Sequence, residues 1–128
     1  MGRPSDWSLL GGADPCPGSI DEALGLSDSW GRCAGGLSDA HRVLSGVEVS
    51  GAGNAVIAAG DLVRSSAGLL GVYRDACEGC AHALTMWARA LEMLQSEADR
   101  LHAQALQAKD DQEAGQRMIA TGRDERIR

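Results

Sequence analysis

Phenylalanine is absent from the 128 residues, and Trp7, Trp30, Tyr73 and Trp87 are the only aromatic side chains. Much of the apolar content is Ala and Leu, the composition of a helical protein. Basic charge is also short: 12 Lys and Arg stand against 18 Asp and Glu, a net charge of -6. That argues against nucleic acid as a partner, since binding it rewards Lys and Arg gathered on one face. No uninterrupted apolar run approaches the roughly 18 residues of a membrane helix, so no membrane span is expected. The opening MGRPSDWSLLGG lacks the apolar segment of a secretory signal peptide. The expected location is therefore cytoplasmic before any export, and export would use another route.

Catalytic patterns are missing as well. Ser, His and Asp occur but form no nucleophile motif. Asp110-Asp111 lies in a polar stretch where no pocket would raise a carboxyl pKa. Gly51-Ala52-Gly53 precedes no Lys-Ser/Thr and so makes no phosphate loop. No catalytic residue and no cofactor is expected. Cys77-x-x-Cys80, with His82 beside it, is the one metal-like cluster, but a structural zinc site needs a second ligand pair. A redox CxxC would start a helix, where the dipole lowers the thiol pKa; this one falls mid-helix. The cysteines are read as reduced, core-filling side chains.

What the chain does have is periodicity. From Val56 to Ala108 apolar or small residues recur in alternating steps of three and four: Val56, Ala59, Val63, Ser66, Leu70, Tyr73, Cys77, Cys80, Leu84, Trp87, Leu91, Leu94, Ala98, Leu101, Ala105, Ala108. Such spacing predicts a long helix with a seam for other helices. An earlier series (Ala23, Leu26, Trp30, Cys33, Leu37, Ala40, Leu44, Val47) has the same period. It follows Ser19-Ile20-Asp21-Glu22, a capping box in which the Ser19 hydroxyl accepts from Glu22 and the Glu22 carboxylate reaches back.

These patterns predict an all-α antiparallel helical hairpin. The expected layout is an extended Trp/Pro/Gly lead (1–18) and a hairpin (19–108), then a polar, mobile tail (109–128). Within the hairpin the helices are expected at about 20–46 and 55–108, with a turn at 47–54 and Asn54 as N-cap. Trp7, Leu9 and Leu10 are expected to dock on a helix. A turn centred near Ser50 sets Trp30 opposite Leu70 and Tyr73, and Cys33 near Ser66. Trp30, Leu37, Leu44, Leu70, Tyr73 and Leu84 are then the expected internal core. Between Ala76 and Leu94 the apolar face is wider than one stripe, as in a helix wrapped by several neighbours. Met86, Trp87, Ala90, Leu91, Met93 and Leu94 are the candidate partner-binding residues. Trp7 either covers them or joins them.

A helical hairpin behind a short lead resembles the N-terminal domains of actinobacterial proteins assigned to type VII secretion, distant relatives of the WXG (ESAT-like) family. The matching residues are Arg3-Pro4-Ser5-Asp6-Trp7-Ser8 with Leu9, the step Asp14-Pro15-Cys16-Pro17-Gly18, and the turn at Ser50-Gly51. Val49-Ser50-Gly51 stands where that family has Trp-x-Gly, and Tyr73 is followed four residues on by Cys77 rather than an acid. The resemblance implies a secretion substrate, or the targeting domain of a secreted effector. It would act as a homodimer or with a WXG-like helical partner, and engage the type VII secretion machinery. The alternatives are a cytosolic adaptor or chaperone for another helical protein and, further off, a zinc-dependent regulator.

Overall fold

A computed structural model describes residues 2–127, with side chains through residue 126. Among the described residues there is no strand; the elements are a 3-10 turn at Ser8–Leu10, helix α1 at Ile20–Ser45 and helix α2 at Asn54–Ile127. A short helix followed by a long one is the expected helical hairpin.

α1 starts after Ser19 with the Ser19 half of the expected capping box. The Ser19 side chain accepts from the Glu22 amide at 3.1 Å, and Asp21 and Glu22 occupy the positive end of the helix dipole. It ends at Gly46, whose amide donates to the carbonyls of Arg42 and Val43. Asn54 is not the N-cap of α2 but its first residue. The cap position belongs to Gly53, whose carbonyl accepts from the Ile57 amide at a φ of +112°, a conformation glycine adopts without a Cβ penalty.

α2 does not end near 108; it continues to Ile127. Gly115 and Gly122 lie within the stretch expected to be a mobile tail. Both are helical, and glycine inside a helix costs only about 1 kcal/mol relative to Ala. The polar tail is thus helix. α2 contains an 18-residue window long and apolar enough to cross a bilayer, and 11% of that window is buried. Scattered charges interrupt every run there without making the average polar.

The chain divides into two compact units, Ser19–Arg89 and Met1–Gly18 with Ala90–Arg128. The first is the hairpin. Its register differs from the one expected: His41 Nδ1 donates to the Ala67 carbonyl at 2.7 Å, Cys33 meets Cys77, and Ser27 meets Ala81 and Thr85. Cys33 is therefore not level with Ser66. The cause lies in the connection, where Val47 and Val49 line a cavity with Gly60, Val63 and Ala67 of α2. The linker lies along the first turns of α2 instead of turning tightly at Ser50, and this moves every pairing about two to three helical turns along α2.

The seam is also rotated. Ala23, Ser27 and Ala34 are buried on α1, and Ala67, Gly71, Cys77 and Ala88 on α2. Trp30 and Tyr73, both expected in the core, are exposed, while Leu37, Leu44, Leu70 and Leu84 are half-buried. Small residues let two helix backbones approach closely, and buried hydroxyls find partners there. The Ser27 hydroxyl lies 2.7 Å from both the Ala81 carbonyl and the Thr85 hydroxyl. A Cβ built on Gly71 would lie 3.7 Å from the His41 ring, whereas one on Gly68 or Gly79 would meet nothing.

Candidate functional site

The small-residue seam leaves the large side chains of the hairpin unit outside. Along α2, Tyr73, Cys80 and Trp87 follow one another at seven-residue intervals, so they share one helix face. Tyr73 is 57% and Trp87 54% exposed, and Cys80 is exposed too. Leu69, Val72 and Met86 lie exposed beside this line. Tyr73, Cys80 and Trp87 were expected in the seam itself. Apolar character alone could not decide, because both sides of the true seam are apolar and the smaller side wins the contact.

The candidate partner-binding residues divide between the two units and between two fates. Met86 and Trp87, in the hairpin unit, are exposed, as are Ala90, Met93 and Leu94 in the other. Leu91 is not available: it is 2% exposed. Gly18 packs on it so closely that a Cβ there would lie 3.2 Å from a Leu91 methyl. Trp7 is likewise interior, at 4% exposure. It does not join an outer surface. Its ring meets His102 edge-on with centroids 4.9 Å apart, the Arg3 guanidinium lies 5.3 Å from its centroid, and its indole N–H donates to the Pro4 carbonyl at 2.9 Å.

That unit holds a docking site which periodicity misread. Gln95, Ala98 and His102 form the buried side of α2 here. Gln95 Nε2 donates to the carbonyls of Cys16 and Gly18 at 3.0 and 2.9 Å. His102 Nε2 donates to the Asp6 carbonyl at 2.6 Å. Arg3 bridges Asp14 and Asp99, its Nη2 reaching the Asp99 carboxylate at 2.9 Å. Arg3 holds the Asp14 carboxyl below the usual carboxylate range, assisted by the Cys16 amide; the Ser8 amide does the same for Asp6. A polar stripe at 95, 99 and 102 was the available signal. Its spacing matches a helix face, and buried polar groups are tolerated when hydrogen-bonded in this way.

Cys77 and Cys80 do not act together. Cys77 is buried against Cys33 and Cys80 is exposed, and burial, followed by the Cys33 contact, pushes the Cys77 thiol up. Among the described residues no three His, Cys, Asp or Glu side chains converge as metal ligands. No protein-family model matches the chain, and no curated protein or solved structure matches it either.

Proposed function

We propose that this chain is a non-enzymatic interaction module that binds another amphipathic helical chain, as a homodimer or with a WXG-like partner. The observation that carries this reading is the exposed line of Tyr73, Cys80 and Trp87 with Met86 beside it, on a hairpin whose own seam is filled by small residues. Fully burying one such large side chain contributes about 1.5–3 kcal/mol, and contiguous apolar faces on soluble proteins mark interaction sites. The type VII export reading rests on the resemblance around Arg3, Trp7 and Asp14. Those residues form the docking site of the lead, so the shared motif has a structural use in this chain.

Trp87→Asp tests the association. The substitution is on the surface and should leave far-UV helicity unchanged while lowering the mass measured by light scattering. A wild-type chain that is already monomeric, or a mutant of unchanged mass, removes the homodimer. The apolar window of α2 supports a second reading, membrane insertion. Flotation with phosphatidylcholine vesicles would assign the face to lipid. Export is read from culture supernatant: loss of the protein there on deleting the secretion ATPase supports it, and cytosolic retention favours the adaptor.

A further inference from the structure

The hairpin unit places two thiols from different helices in contact. Cys33 of α1 and Cys77 of α2, 44 residues apart in sequence, have their sulfurs 3.9 Å apart. Ala34, the neighbour of Cys33, and Ser27 two turns before it are buried in the same seam. The helix backbones therefore approach closely where the thiols meet. Closing the 3.9 Å gap to the about 2.05 Å of an S–S bond takes rotation of the two side chains about χ1. Cys33 is exposed and Cys77 is buried, so an oxidant in solution meets one member of the pair and the other is held behind it. Cys16 belongs to the other unit. Cys80, although three residues from Cys77, is exposed and lies off the buried seam.

We infer that Cys33 and Cys77 are a redox-sensitive pair that closes into an inter-helix disulfide by exchange with a small-molecule disulfide such as oxidised glutathione. The Cys33 thiolate attacks one sulfur of the oxidant, breaking its S–S bond and expelling one glutathione thiolate. The Cys77 thiol gives its proton to water, and its thiolate attacks the Cys33 sulfur. The second glutathione then leaves. The protein loses two electrons and the oxidant becomes two thiols. In a reducing cytosol the pair stays open, and in an oxidising compartment it ties α1 to α2 in the observed register.

The full chain treated with oxidised glutathione tests this. Free thiols should fall from four to two, with peptide mapping joining Cys33 to Cys77. The thermal midpoint should rise by roughly 10 °C and return on adding dithiothreitol. Cys33→Ser, at an exposed position, should show no rise of its own midpoint under oxidant and yield no Cys77 crosslink. Four persistent thiols, a glutathione adduct left on Cys33, a Cys77–Cys80 link or a covalent dimer would each overturn the inference.

Discussion

In the unit of Met1–Gly18 with Ala90–Arg128, a tryptophan is the centre of the packing: Trp7 sits between Arg3 and His102, with Leu91 buried under Gly18. In the unit Ser19–Arg89, Trp30 and Trp87 lie outside, and Ala23, Ser27, Ala34 and Ala67 fill the seam. One unit closes by inserting large side chains and pairing buried polar groups. The other closes by letting two helices come near on small ones. The second arrangement leaves Tyr73 and Trp87 exposed, which is why the hairpin is where a partner is proposed.

The largest test of this contrast is Trp7→Ala. Removing a buried tryptophan costs about 3–5 kcal/mol, and the loss should fall on the docking of the lead. Hydrogen exchange should show lost protection in residues 3–18 while protection of the hairpin around Ala34 and Ala67 is retained. Equal loss in both units would show that the two do not pack independently.

Ala34→Leu probes the other side. Ala34 is 4% exposed, so three added carbons overpack the seam and should destabilise the hairpin by about 1–3 kcal/mol in urea unfolding. Leucine is tolerated only if the helices are farther apart than the small-residue seam requires, and a neutral result would break the comparison.

The smallest effect is electrostatic. Asp14 titrates below its ordinary 3.8 because Arg3 pairs with it. Its contribution is then complete above that pH and is lost as the pH falls below it, through the depressed folded value. Acidification should loosen the lead, seen as a tryptophan fluorescence change below about pH 4, and the step should be missing in Asp14→Asn. A step unaltered in that variant would move the cause to another carboxylate.

Helix positions were legible in the sequence where local chemistry sets them. Ser19 caps α1 because its hydroxyl needs only the Glu22 amide three residues away, and the end at Ser45 follows from Gly46. The end of α2 was misplaced because charge was read as disorder, whereas pairs such as Gln107 with Asp111 are compatible with a solvated helix. The candidate site was half legible. Met86, Trp87, Ala90, Met93 and Leu94 are exposed as a partner surface requires, but Leu91, equally apolar, is covered by a glycine far away in sequence.

The sequence by itself determined that the chain is helical, that α1 begins after Ser19, and that α2 carries more apolar face than one stripe. Periodicity and capping act over one or two turns, so they can be read locally. Only the tertiary structure decided which side of each stripe is buried, because that depends on how closely two backbones approach. It also set the register, through the path of Val47 and Val49 along α2. And it turned Gln95 and His102 from apparent surface residues into anchors for Asp6, Cys16 and Gly18, since a buried polar group is explained only by the partner that satisfies it.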